Sequence, residues 1–304
     1  MVASISTYGL YSSLALNSNE AQTALSTAAE QESTGLVSQT YAGLGGAATS
    51  RLLNLQSAVA DAGTYSANAD TAGTRTQAMY TAVGSMISAL TSLKTTISTA
   101  LSATDNSTLS SSAESILTDL AADMNTQVGS TYVFSGDKTD TMPVDLTSYP
   151  SSTPVSSTTT DTSYYQGDDS VFSTMVSANE SINYGVTADN SSFEQALRAA
   201  VMVTEAVTNG TADTTTLQSA YTLASTALDN LSDLQQEISD TSSRLTNVQS
   251  NEATFVTQMN SMISDVENVD TAQASASVSE YQTQLEASYS ALSVVLKTKL
   301  TSYL

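Results

Sequence analysis

From Thr211 to Tyr303 the chain runs without a proline or a glycine. Along this stretch apolar or small side chains recur at steps of three and four: Leu217, Tyr221, Ala224, Leu228, Leu231, Leu234, Ile238, Leu245, Val248, Phe255, Met259, Met262, Val266 and Val269. That spacing lines one face of a helix. A helix from Thr214 to about Asn268 would be roughly 80 Å long at about 1.5 Å per residue. This is too long for a globular domain, and a periodic run of such length points to a coiled coil.

The first half of the chain offers the partner. Alternate steps of three and four from Leu52 pass through Leu55, Val59, Ala62, Ser66, Ala69, Gly73, Thr76, Tyr80, Val83, Ile87, Leu90, Lys94, Ile97 and Leu101, a seven-residue repeat. Its middle third is small or polar, which lets another backbone approach closely but holds it weakly. After an expected break at Ala103, Asp105 and Asn106, a shorter helix uses Leu109, Ala113, Ile116, Leu120, Met124 and Val128, with Gly129 as its stop. Another helix resumes after the midpoint with Ser192 as N-cap and Phe193, Leu197, Val201 and Val207 on its face.

Between these helical halves the composition turns to Thr, Ser, Tyr, Val and Asp, and all three prolines (Pro143, Pro150, Pro154) lie there. Segments such as TYVF, SYYQ and SINYGVTA, punctuated by Gly136, Gly167 and Gly185, read as strands and turns. Residues 131–191 are therefore expected to form a small β-rich insert, with 146–162 as a loose loop. The fold class is mainly α: a long antiparallel coiled-coil rod (46–130 with 192–269), paired terminal helices (1–45 with 270–304) and the insert.

Both terminal segments carry stripes that nothing further in the chain covers. Leu10, Leu14, Ala21, Leu25 and Ala28 mark a helix that should fade near Gly35, and Leu285, Tyr289, Leu292, Leu296, Leu300 and Tyr303 mark the last one. Tyr281, Tyr289 and Tyr303 contact either the amino-terminal helix or a neighbouring molecule. The candidate assembly interface is Leu10, Leu14, Leu25, Tyr281, Leu285, Tyr289, Leu292, Leu296, Leu300 and Tyr303. Exposed apolar surface of this extent invites association.

Chemistry is narrowly bounded. The chain has no Cys and no His, so disulfides, zinc sites of the usual kind and Cys or His catalysis are excluded. Acids number 30 against 8 Lys plus Arg, a formal net charge of -22, which argues against nucleic acid and anionic membranes as partners. No run approaches the roughly 20 apolar residues that span a bilayer, and no cleaved secretory signal is visible. The acids of GDKTDT (136–141) and QGDDS (166–170) lack the alternating ligands of a calcium loop and read as solvated turns. GLGG (43–46) lacks the Lys and preceding strand of a phosphate loop. No catalytic residue, cofactor or metal is expected.

The tail QTQLEASYSALSVVLKTKLTSYL (282–304) resembles the carboxyl-terminal signature of bacterial flagellin-type axial proteins. TYVFSGDKTDTMPV (131–144) and YYQGDD (164–169) are similar, more narrowly, to the hook-filament junction branch of that family, the hook-associated protein 3 type. After STG (33–35) the chain departs from the family pattern, with LVSQTYAGLGGAATSRLLNLQ in place of a basic residue and an Asp-Asp-Pro-like run. The resemblance implies a flagellin-like fold and a structural, non-enzymatic subunit of the flagellum, with filament flagellin as the nearest alternative and a secreted coiled-coil adhesin or secretion-apparatus component as the more distant one. It also implies export as an unfolded monomer without signal cleavage, to an extracellular place in the flagellum. The implied partners are copies of itself, adjacent hook-associated protein and flagellin subunits, and a cytoplasmic export chaperone.

Overall fold

A computed structural model describes residues 7–102 and 108–297. In chain order the elements are α1 (Thr7–Thr34), α2 (Tyr41–Leu44), α3 (Gly46–Ser102), α4 (Leu109–Met124), β1 (Gln127–Val128), β2 (Thr131–Tyr132), β3 (Ser173–Ser177), β4 (Glu180–Asn183), α5 (Ser191–Thr208), α6 (Thr214–Glu267) and α7 (Thr271–Lys297). The fold is mainly α, as the periodicity requires. The chain divides into two compact units, one of Met1–Asp61 with Phe255–Leu304 (unit 1), the other Ala62–Thr254 (unit 2).

Unit 2 holds the core. Its segments of α3 and α6 and the whole of α4 and α5 share one cluster that includes Met79, Val83, Met86, Leu90, Leu93, Leu120, Phe193, Leu197, Leu217 and Leu231. Within it α3 and α6 run antiparallel, since Gln249 donates to the Asp70 carboxylate at 3.3 Å and Gln235 to the Tyr80 carbonyl at 3.2 Å. Gly84 makes the second contact feasible, because a Cβ there would stand 2.9 Å from the Gln235 amide nitrogen.

The buried stripe of α3 differs from the sequence reading by one residue at alternate positions. Ala69, Thr76, Val83, Leu90 and Ile97 face inward as expected, but their companions are Ala72, Met79, Met86, Leu93 and Ala100, whereas Tyr80 is exposed. The shift favours the interior physically. It keeps the Tyr80 phenol in water and lets the Lys94 ammonium lie 5.3 Å over the Tyr221 ring.

The remaining differences lie at helix ends and in the insert. Helix α4 stops at Met124, and Gly129, at φ 64°, turns the β1–β2 hairpin. Asn190 caps α5, its side chain accepting from the Ser192 N–H, so Ser192 is the second helical residue. The SYYQ segment forms no strand and contributes one bridge, Val144 to Tyr165. The other hairpin, β3–β4, seats Val176, Ile182 and Tyr184 against Ala69, Ala72 and Leu245. The small side chains in mid-α3 are the floor on which this hairpin rests. The break expected around Ala103, Asp105 and Asn106 lies outside the described residues.

Candidate assembly interface

Unit 1 is built around a clasp. Helix α1 ends at Gly35, in left-handed conformation at φ 72°, whose N–H bonds back to the Gln31 carbonyl at 2.8 Å. Val37 N–H then donates to the Glu267 carbonyl at 2.7 Å, Val269 N–H donates to the Gly35 carbonyl at 2.9 Å, and Leu36 bridges Asn268. Asp270 caps α7 by accepting from the Ala272 and Gln273 N–H groups at 2.9 and 3.2 Å. Joined at this root, α1 and α7 pack together antiparallel.

The buried positions of the seam are all small side chains, with larger ones half-buried beside them. On α1 the buried or half-buried positions include Leu14, Ser18, Ala21, Leu25 and Ala28; on α7 they include Ala274, Val278, Tyr281, Leu285, Ser288 and Leu292. Among the described residues of unit 1 the buried side chains are Ser18, Ala21, Ala28, Leu52, Leu55 and Ala274. Two of these six are large. An open groove of about 580 Å³ runs along the pair, lined by Leu16, Glu20, Thr23, Thr27, Gln31 and Tyr281 among others.

Large apolar side chains face outward instead. Leu16 is 60% exposed, Tyr289 51%, Val294 60% and Leu296 62%, and Leu10, Tyr11, Tyr41, Leu53 and Phe255 are exposed as well. Covering those first four would contribute on the order of 6–12 kcal/mol at about 1.5–3 kcal/mol each, an upper bound.

The sequence-predicted residues therefore divide. Leu14, Leu25, Tyr281, Leu285 and Leu292 are half-buried at the seam positions of α1 and α7. Leu10, Tyr289 and Leu296 are exposed, because the seam on α7 passes through Ser288 and Val295 rather than through Tyr289 and Leu296. Leu300 and Tyr303 lie outside the described residues. Leu16 and Val294 were not among the predicted residues. Each sits off the three-and-four stripe of its helix, so periodicity did not point to it.

In unit 2 the two acidic turns read separately in the sequence interlock. The Asp168 carboxylate accepts from the Asp137 and Ser170 N–H groups, both at 3.0 Å, which holds it below the usual carboxylate range. Lys138 donates to the Gly167 carbonyl at 3.0 Å and Asp168 N–H to the Ser135 carbonyl at 3.2 Å. Gly136, at φ 66°, is pressed against Asp168 so closely that no Cβ would fit. The FSGDKTD motif thus fastens two loops by hydrogen bonds in which backbone groups pair with the Asp168 carboxylate, the Lys138 ammonium and each other.

Residues 222–304 match the family described as the bacterial flagellin C-terminal helical region. Among solved structures, a protein from Vibrio parahaemolyticus described as a flagellar hook-associated protein is similar over 73% of this chain and 98% of its own, at 16% identity and a TM-score of 0.55. FlgL of Bacillus cereus is similar over 70% of this chain and 98% of its own, at 15% identity and a TM-score of 0.54. No curated protein sequence matches the chain. Identities this low speak for the fold. The chain has a flagellin-type fold, and its residues 222–304, which include α7 and most of α6, match the bacterial flagellin C-terminal helical region.

Proposed function

We propose that the chain is a structural subunit of the bacterial flagellum, placed at the hook-filament junction, where copies join through unit 1 into a ring. The observation that carries this is the inversion within unit 1: its interior is mostly Ala and Ser while Leu16, Tyr289, Val294 and Leu296 stand in solvent. A helix pair of that kind gains most of its apolar burial from neighbours rather than from itself. The flagellin-type match over residues 222–304 and the likeness to two hook-associated proteins support the same reading.

The neighbours are copies of the chain, an adjacent hook-associated protein on one side and flagellin on the other. The interface comprises Leu10, Leu14, Leu25, Tyr281, Leu285, Tyr289, Leu292, Leu296, Leu300 and Tyr303, now extended by Leu16 and Val294. The subunit reaches its place outside the cell through the flagellar export channel, unfolded and without signal cleavage, and a cytoplasmic chaperone covers its carboxyl-terminal helix beforehand. The role is mechanical, not catalytic.

Deleting the gene and examining cells by electron microscopy tests this reading. Hooks without filaments, with unpolymerised flagellin in the medium, are the expected outcome. A normal filament on the deletion strain overturns the junction assignment. Bare hooks with no other flagellin in the medium would make the chain the filament subunit instead, which the shared carboxyl-terminal helical region also fits.

A further inference from the structure

Two buried polar atoms of unit 2, the Tyr149 hydroxyl and Glu205 Oε1, have no hydrogen-bond partner within the chain, and both residues line one cavity. The cavity, of about 390 Å³, lies between α4, α5 and segment 149–153 of the insert. Neighbouring groups of the same kind are satisfied. Tyr164, whose ring centre lies 5.2 Å from that of Tyr149, donates its hydroxyl proton to the Ala188 carbonyl at 2.9 Å. The Glu194 carboxylate accepts from Arg198 at 3.1 Å through one oxygen and from the Asp161 N–H at 3.0 Å through the other. Glu205 uses Oε2 alone, accepting from the Val155 N–H at 2.6 Å. An unmade buried hydrogen bond is costly, so two around one cavity ask for a reason.

The walls say what would satisfy them. Leu117, Pro150 and Val201 are apolar. Thr204 and Thr208 spend their hydroxyl protons on the Ala200 and Thr204 carbonyls at 3.1 and 2.8 Å, so their oxygens remain only as acceptors. No Lys or Arg is among the described residues that line the cavity. The α5 wall thus offers a carboxylate oxygen and further acceptors with no cation to match them. Tyr149 supplies a donor: burial first, then the Glu194 and Asp161 carboxylates, push its ionisation up, and its hydroxyl keeps the proton. A mostly apolar cavity with a few convergent polar groups is the usual form of a small-molecule site.

We propose that this cavity binds a small amino alcohol with an apolar body. The ligand's ammonium donates to Glu205 Oε1, its hydroxyl oxygen accepts from Tyr149, and its body lies against Leu117, Pro150 and Val201. Entry takes an outward shift of segment 151–154, which is exposed and belongs to no helix or strand. Occupation ties that segment to α5 and raises the stability of unit 2 as ligand concentration rises. The site is independent of the assembly reading, since all of its residues lie in unit 2.

Calorimetric titration of the full-length chain with phenylethanolamine, at about pH 7 and about 0.15 M salt so that surface charge is screened, tests this. Phenethylamine lacks the hydroxyl and phenethyl alcohol lacks the amine. The probe is expected to bind saturably, one molecule per chain, and phenethyl alcohol at least about tenfold more weakly, the factor carried by a hydrogen bond to a charged group. E205Q, whose amide oxygen still accepts from Val155, is expected to lose the preference for amine over alcohol. Y149F is expected to lose only the preference for phenylethanolamine over phenethylamine. Circular dichroism checks that both variants fold. Should either fail to fold, hydrogen exchange of the parent with and without probe decides, with slowing expected at 149–155 and 201–209. No saturable binding of the probe up to about 10 mM overturns the site. So does equal binding of phenethyl alcohol, an unchanged preference in folded E205Q, or slowing of exchange confined to other segments.

Discussion

Gly136 and Asp168 meet where two loops of unit 2 are fastened, and both are required by backbone geometry. Any side chain at Gly136 must adopt a positive φ and displace the Asp168 carboxylate and carbonyl. G136A is expected to destabilise the protein by about 1–3 kcal/mol, read by thermal unfolding. Asp168, stabilised as a carboxylate by the Asp137 and Ser170 N–H groups, gives stability that is present above the ordinary carboxylate range and is lost as pH falls below it. Asp123 has the opposite sign. Half-buried on α4 and one turn from Asp119, its carboxyl is raised from 3.8 to about 6, by burial first and by Asp119 second. The folded state therefore holds that proton more tightly than the unfolded one, and this group makes stability rise as pH falls from about 6 to about 4. D123N is expected to raise the unfolding free energy at about pH 7, by less than about 1 kcal/mol because solvent screens the group, and to give no gain at about pH 4, read by denaturant titration.

At the level of elements, helix extents were the most legible feature of the sequence. The helix expected from Thr214 to about Asn268 is α6, Thr214–Glu267, and Gly35 marked the close of α1. Facing was less legible wherever two apolar residues are adjacent. Met79 and Tyr80 fit the repeat equally well, and what separates them is which tip tolerates burial, a question settled by α4, α5 and α6 rather than by α3 alone. The α1–α7 seam was half hidden for another reason: Ser18, Ala21 and Ser288 carry little hydrophobic signal, so the eye follows Tyr289 and Leu296 to a face the seam does not use. The difference between the two kinds of apolar position is measurable. L231A, at a fully buried site on α6, should cost about 2–5 kcal/mol. L296A should leave monomer unfolding within about 0.5 kcal/mol and weaken association between copies, as seen by sedimentation.

For the whole molecule, stability is concentrated in unit 2, where nearly every large buried side chain resides. Hydrogen exchange on the dilute chain should reflect this. Amides of α1 and α7 are expected to exchange faster than those of α4 and α5, because local opening costs least where little apolar surface is buried. Equal protection in the monomer would show that unit 1 is stable by itself and would remove the argument for cover by neighbours. Limited proteolysis offers a second measurement, with a resistant fragment near Ala62–Thr254 as the expected product.

The clasp between Gly35, Val37, Glu267 and Val269 sets the order of events during synthesis. Helix α1 is synthesised before its partner, which begins at Thr271, more than 230 residues later. Pairing across so wide a sequence separation is slow and cannot precede translation of α7. All residues of unit 2 are therefore synthesised before α1 can meet its partner, and a truncated product lacking α7 would display a half-built surface with no means of closing it.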